Sequence, residues 1–268
     1  MTNQNCTGLR HTVAILCGTV AFAVWNPSGH AAEAPLIPVI VELFTSQGCS
    51  SCPPADAVLA TLERNQPVEG VEIVPLSEHV DYWNRLGWHD PFSSARYSAR
   101  QRDYGKILNL ANLYTPMMIV DGQAALIGSE SSKVRRAIIE AAARTKIPVQ
   151  LNVTNTAASD IINIAASIVV GKTGPLTRTE MWLAITETAL ATNVMAGENM
   201  FRQLRHTGVV RHLERTAAII SDRAKDQTPI MTRVKLDESW KRRHLRVIVF
   251  LQDMATRAIT GAASASVN

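Results

Sequence analysis

The stretch at residues 42–56, ELFTSQGCSSCPPAD, constrains the fold more than any other part of the sequence. It continues a β-rich apolar run at residues 38–45 that is typical of a buried central strand. Two cysteines at C-x-x-C spacing follow, and then residues 53–65 have the pattern of a helix that opens with proline. A second β-rich run at residues 71–76 completes the pattern. The sequence therefore predicts a βαβ unit with parallel strands, in which the cysteines lie where the first strand meets the helix.

The N-terminal segment has the features of a secretory signal peptide. Residues 1–32 carry one basic residue, Arg10, and no acidic residue, and residues 12–24 form an apolar run that is too short to span a bilayer. Small residues precede a cleavage site after Ala32. We expect cleavage there and a periplasmic or secreted mature protein without membrane attachment, although an uncleaved anchor is the alternative.

Cleavage changes the cysteine inventory. Cys6 and Cys17 leave with the signal peptide, so the mature chain retains only Cys49 and Cys52. In an oxidising compartment this pair is expected to form a disulfide. The formal net charge is +4, and the basic residues are scattered without an aromatic platform. This composition gives no indication of nucleic-acid binding.

The rest of the chain changes character near residue 147. Residues 114–129 predict a β-hairpin that turns at Asp121 and Gly122, and residues 129–146 predict a helix with serine caps. After Pro148, β-branched and alternating segments follow one another at short intervals. This second half predicts an all-β, sandwich-like domain.

These motifs resemble the thioredoxin-like superfamily, in which a strand leads into C-x-x-C at a helix start and a proline precedes a later hairpin. The chain more closely resembles an exported bacterial family of unknown function (domain of unknown function 1223), on the strings ELFTSQGCSSCPPAD, HVDYWNRLGWHDPF, TPMMIVDG and GENMFRQLRHTGVVR. The resemblance implies an α/β thioredoxin-like domain at residues 33–146, after the signal peptide at 1–32. An all-β domain would then follow at residues 147–268.

The resemblance also implies a function, that of a thiol–disulfide oxidoreductase acting on protein thiols or disulfides without a cofactor. Cys49 is expected to be the exposed attacking thiol, because a helix N-terminus stabilises a thiolate, and Cys52 the shielded resolving thiol. Pro116 is expected to follow a cis peptide bond beside the cysteines, where it would bar a metal ligand. Thr115 and Trp83 are candidates for the substrate-facing surface, and Trp83 is equally consistent with simple packing.

Glu42 is the candidate proton acceptor. It lies in an otherwise apolar strand seven positions before Cys49. It resembles the buried acid that thioredoxins keep one position nearer to the first cysteine. A buried carboxyl group there would accept the proton of Cys52. The alternative is a solvent-facing side chain at the edge of the sheet.

Two further functions stay open at this point. In the first, the protein is a non-enzymatic binding protein and the disulfide is structural. A C-x-x-C ring is short, however, so it stabilises less than the ~3 kcal/mol expected of a 15-residue loop, which favours redox chemistry. In the second, His79 and His89 join the cysteines to bind or deliver zinc or copper. We assign no metal ligand, because the second close pair of ligands is missing.

We expect the exported protein to begin at or near Glu33. N-terminal sequencing of the exported form is the measurement. A membrane-bound protein that retains Met1 would contradict this expectation.

Overall fold

A computed structural model describes residues 1–3, 35–156, 160–169, 178–219 and 229–267. The predicted signal peptide therefore lies outside the described residues, apart from its first three positions. From Pro35 onward the chain belongs to one compact unit. In the part of the chain that is described, none of the helices has the length and apolar character needed to cross a membrane.

Helices and strands alternate in the first half, and strands dominate the second. The α-helices are α1 (Pro53–Asn65), α2 (Ala95–Ile107) and α3 (Ser131–Ala142). The strands are β1 (Ile37–Thr45), β2 (Val71–His79), β3 (Met117–Val120), β4 (Ala124–Ile127), β5 (Val149–Asn155), β6 (Ile161–Ile168), β7 (Thr179–Glu187), β8 (Leu190–Asn193), β9 (Gln203–His206), β10 (Val209–Ile219), β11 (Ile230–Lys235), β12 (Leu245–Asp253) and β13 (Ile259–Ser266). Short 3₁₀ turns occupy Asn84–Leu86 and Arg242–His244.

The predicted βαβ unit is confirmed. β1 and β2 pair in parallel along their whole length, and α1 connects them. Alternate residues of β1 serve opposite faces of the sheet, as the two-residue period of a strand requires. Val39, Val41 and Leu43 pack against α1 and α3, whereas Ile40 packs with Tyr97 of α2. The predicted hairpin is also present, with Val120 paired to Ala124 across its turn.

The predicted division into a thioredoxin-like α/β domain and a separate all-β domain is wrong. One eight-stranded mixed sheet runs through both halves in the order β13-β12-β7-β10-β2-β1-β3-β4. β10 joins β2 through the pair Val209–Ser77, and the Ser77 amide donates to the Gly208 carbonyl at 2.7 Å. β2 is buried on both faces, so an unpaired edge there would expose its backbone groups. β10, from the second half, covers that edge.

The hydrophobic core is also continuous across the two halves. One buried cluster combines Ile40, Val74, Leu76 and Tyr97 with Ala184, Val210, Leu213, Ile248, Phe250, Ile259 and Ala262. The halves approach so closely at Gly208 that a Cβ there would lie 2.8 Å from the Pro75 carbonyl oxygen. Gly208 also has a φ of +56°, which glycine adopts without penalty.

The second half adds smaller sheets to this frame. β11, β6 and β5 form a three-stranded antiparallel sheet, and β8 and β9 form a hairpin. Ile162 and Ile164 of β6 share a core cluster with Leu183 of β7 and Val247 of β12, so the three-stranded sheet packs face to face on the large one. The separate sandwich-like domain predicted for this half is therefore not found, because the sheet that faces β6 is the one that contains β1.

Arg100 of α2 is the centre of a buried polar cluster that ties the halves together. Its Nε lies 2.5 Å from Glu42 Oε2 of β1, and its Nη1 donates to Gln252 Oε1 of β12 at 3.1 Å. Tyr104 completes the cluster, since its hydroxyl donates to Glu42 Oε1 and accepts from Arg100 Nη2. The guanidinium also lies over the Trp182 ring at 5.0 Å. The cluster therefore joins a helix and a strand of the first half to two strands of the second.

A second buried acid, Glu78 of β2, lies 3.5 Å from Arg100 Nε. Neither of its carboxyl oxygens has a hydrogen-bond partner among the described residues. Burial raises the pKa of Glu78 well above its ordinary value, and the nearby Glu42 carboxylate raises it further. Both causes favour the neutral form of Glu78, and Glu42 is the carboxylate in direct contact with the Arg100 guanidinium.

Replacing Arg100 with methionine should lower the free energy of unfolding by about 3–5 kcal/mol, because the Glu42 carboxylate then stays buried without a cation. Urea denaturation is the measurement. Arg102→Met provides the control, since Arg102 is exposed on the same helix. Equal effects of the two substitutions would show that the buried cluster does not carry this stability.

Candidate functional site

The cysteine pair lies just beyond the carboxyl end of β1, where the chain turns into α1. Cys52 is the N-cap residue of α1, the helix begins at Pro53, and the two cysteines form a disulfide. Both cysteines are fully buried, whereas Ser50 and Ser51 between them are exposed. The expected greater exposure of Cys49 is therefore not found in the disulfide form. Between Ser46 and Cys52, Ser50 and Ser51 are the exposed residues.

Thr115 and Trp83 are brought to the cysteine pair. The Thr115–Pro116 bond is cis, as the resemblance implied. The Thr115 hydroxyl accepts from Trp83 Nε1 at 2.8 Å and donates to Cys49 Sγ at 3.3 Å. Because a hydroxyl has a single proton, the indole N–H directs that proton towards the sulfur. The Ser51 hydroxyl lies at the same distance, 3.3 Å, from Cys49 Sγ.

Glu42 is not brought to the cysteine pair. It is buried, so the solvent-facing alternative does not apply, but it lies on the α2 face of β1 and binds Arg100. Cys52 begins α1, which packs on the other face through Leu43 and its neighbours. The one-residue difference from the thioredoxin spacing explains this placement, because side chains at odd and even positions of a strand point to opposite faces.

A different acid, Asp56, lies on the cysteine side of the sheet. It is buried, and it follows Cys52 by four residues, so both lie on the same face of α1. Its carboxyl oxygens lie 3.4 Å from Thr45 Oγ1 and 3.7 Å from His206 Nδ1. Asp56 is not among the residues predicted from the sequence. The i, i+4 spacing within CPPAD was the signal that could have identified it.

Buried histidines support the loop that precedes the cysteines. His79 Nδ1 lies 2.7 Å from Asp90 Oδ2, and the same oxygen accepts from the backbone amide of Gln47 at 2.8 Å. Burial lowers the pKa of His79, but the Asp90 carboxylate outweighs it, so the net pKa is raised. His206 packs against His79 with ring centroids 4.8 Å apart and contacts the Gln47 side chain. Gln47 is thus held from both halves, two residues before Cys49.

A loop from the second half, residues 194–202 between β8 and β9, closes over the cysteine loop. Asn199 is buried, and its Nδ2 donates to the carbonyl oxygens of Gln47 at 3.0 Å and Cys49 at 2.8 Å. The Arg202 guanidinium donates to Asn199 Oδ1 and so fixes the orientation of the amide. The neighbouring Glu198 accepts from the Ser50 amide at 2.9 Å. Glu198 and Asn199 belong to the motif GENMF of the sequence, but only the tertiary structure shows which residues they contact.

The described residues do not suggest a metal centre. Within the described ranges, no three or more His, Cys, Asp or Glu side chains are grouped so that they could hold a metal ion. His79 is engaged with Asp90, and His89 is exposed. The cysteine sulfurs are joined to each other.

Two solved structures have the same overall fold. Protein AGR_C_4864 from Agrobacterium tumefaciens is 24% identical, with a TM-score of 0.63, over 87% of this chain and 96% of that chain. HBP35 of Porphyromonas gingivalis is 11% identical, with a TM-score of 0.60, over 87% of this chain and 76% of that chain. At these identities the similarity shows the fold alone. Among curated proteins, none matches the chain.

The family comparison covers most of the described unit. The model described as "Protein of unknown function (DUF1223)" matches residues 40–252. This range includes the cysteine pair, the Thr115–Pro116 bond and the loop at residues 194–202 that binds the backbone of the cysteine loop. The chain therefore belongs to the DUF1223 family of proteins of unknown function.

Proposed function

We propose that this protein is an exported thiol–disulfide oxidoreductase that uses Cys49 and Cys52 and acts on protein thiols or disulfides. The observation that carries the proposal is the hydrogen bond from the Thr115 hydroxyl to Cys49 Sγ. The two residues are 66 positions apart, and the donor is oriented by Trp83. A purely structural disulfide has no need of an oriented donor, whereas a thiolate formed on reduction is stabilised by one.

The exchange follows from the two sulfurs and conserves atoms and electrons. In the reduced form the Cys49 thiolate attacks a substrate disulfide, which forms a mixed disulfide and releases one substrate thiolate. Cys52, as a thiolate, then attacks Cys49 Sγ. This closes the Cys49–Cys52 disulfide and releases the second substrate thiolate. Two electrons pass from the protein to the substrate, and the reverse sequence oxidises a substrate dithiol.

Asp56 replaces Glu42 as the candidate acceptor for the Cys52 proton. It is buried one helical turn beyond Cys52, and among the described residues the hydrogen bond to its carboxyl group is the long one from Thr45 Oγ1. A carboxylate with this free acceptor capacity can take a proton from the resolving thiol, directly or through one water. The proton then stays near His206, on the side of the sheet away from Arg100.

Burial of both cysteines favours a second candidate, a binding protein with a structural disulfide. Neither sulfur is open to an attacking thiolate in this conformation. An oxidoreductase therefore needs the residues around the pair to move during exchange, and a structural disulfide does not. The two functions differ in what single-cysteine variants capture.

Cys52→Ser should accumulate mixed disulfides through Cys49 when the protein is produced in its exported form, because the resolving step is lost. Cys49→Ser should accumulate far fewer. Non-reducing electrophoresis followed by mass spectrometry measures both. If the two variants are equally destabilised and neither captures a partner, the structural-disulfide function replaces the proposal.

Thr115→Val should make Cys49 less acidic in the reduced protein, because the variant lacks the O–H donor to the sulfur. With about 1 kcal/mol for that hydrogen bond, alkylation of Cys49 at neutral pH should slow by about fivefold. The rate of reaction with iodoacetamide as a function of pH is the measurement. Thr115→Ser keeps the hydroxyl and serves as the matched control, so equal rates in the two variants would contradict a role for the donor.

A further inference from the structure

The loop at residues 194–202 places a charged side chain, Glu198, against the cysteine loop. Glu198 is exposed, yet its carboxylate accepts from the Ser50 amide, the residue directly after Cys49. Hydrogen bonds from the Ser50 hydroxyl and amide lower the pKa of Glu198, so the group is ionised at neutral pH. A negative charge therefore lies next to the position where Cys49 would become a thiolate.

Neighbouring contacts hold Glu198 in this position. Asn199 anchors the loop to the carbonyl oxygens of Gln47 and Cys49, and it is fully buried. Gly197 lies against the Trp88 side chain, where an added Cβ would come within 3.3 Å of Trp88 Cβ. Within the loop, the Val194 amide donates to the Arg202 carbonyl, and the Phe201 amide donates to the Val194 carbonyl. The contact of Glu198 with Ser50 is thus part of a closed structure rather than an isolated surface pair.

Glu198 affects a reduced Cys49 in two ways, and both destabilise the thiolate. Amides that precede a helix are the donors that stabilise a cysteine thiolate at this position. Glu198 occupies one of them, the Ser50 amide, and its charge repels the thiolate as well. Both effects disfavour the thiolate, and through it the reduced form of the pair.

We propose that Glu198 is a positioning residue that lowers the acidity of Cys49 towards that of an ordinary thiol and lowers the reduction potential of the Cys49–Cys52 pair, with Asn199 holding it in place. This inference rests on the proposed function and deepens it. It assigns the second half of the chain a direct part in the redox site, as the element that biases the pair towards the disulfide.

Equilibration of the purified full-length mature protein with reduced and oxidised glutathione tests the inference. In that reaction two glutathione thiols give two electrons and two protons to the disulfide, which yields the dithiol and glutathione disulfide. Glu198→Gln keeps an acceptor for the Ser50 amide and removes only the charge. It should shift the equilibrium towards the dithiol by about threefold, as expected for an exposed charge pair. At 29.6 mV per tenfold change this is about 14 mV.

A charge series and a matched control define the outcomes. Glu198→Lys should shift the equilibrium further in the same direction, and the pKa of Cys49 from alkylation should fall in the order Glu, Gln, Lys. Glu69→Gln makes the same change of net charge at an exposed position before β2, at the opposite end of the sheet from the cysteines. An unchanged potential in Glu198→Gln, an equal shift in Glu69→Gln, or a shifted potential with an unchanged Cys49 pKa would each overturn the inference.

Asn199 provides an independent arm. In an Asn199→Ala background the charge change at residue 198 should lose at least half of its effect, because the loop is no longer anchored to the carbonyl oxygens. If Glu198→Gln had its full effect in the Asn199→Ala background, the role given to Asn199 would be overturned. The role of Glu198 is tested by the charge series alone. Glutathione is the only redox partner used, so these results do not depend on whether Cys52→Ser captures a protein. Failure of the inference and failure of the proposed function are therefore separate outcomes.

Discussion

The arrangement of the chain depends on the hydrogen bonds and the ion pair that the buried guanidinium of Arg100 forms. A charge can stay inside a protein only if it is paired and hydrogen-bonded, and each partner of Arg100 comes from a different element. Glu42 lies on β1 and Gln252 on β12, with Tyr104 one turn further along α2. Satisfying this one side chain therefore fixes the helix over a sheet that already includes strands from both halves. The shared apolar core then surrounds a charge network that neither half could complete alone.

The cysteine site follows the same rule of assembly from both halves. β1 and α1 present the disulfide, and the Thr115 hydroxyl, bound by Trp83, donates to Cys49 Sγ. The loop at residues 194–202 binds the Cys49 carbonyl oxygen. The second half is thus part of the wall of the site. This arrangement explains why the cysteines can be fully buried although the connecting serines are exposed, since the covering atoms come from residues far along the chain.

Several features of the site could be predicted from sequence because they depend on local geometry. The helix at Pro53–Asn65, its parallel flanking strands and the turn after Val120 follow from proline placement, apolar periodicity and turn residues. Other predictions were wrong for a physical reason. The assignment of Glu42 to Cys52 depended on which face of β1 it occupies, and a shift of one residue reverses that face. Asp56 has a local signal, its i, i+4 spacing from Cys52, but its contact with His206 of β9 depends on the tertiary structure.

The sequence by itself determined the βαβ unit, the strand–helix junction that holds the cysteines, the later hairpin, and the family resemblance of its long motifs. Only the tertiary structure decided that β10 pairs with β2, that one sheet serves both halves, and that Glu198 and Asn199 reach the cysteine loop. The physical reason is the range of the interactions. Periodicity and turn chemistry act over a few residues, whereas covering a buried strand edge or a buried charge requires whichever distant segment supplies the matching groups.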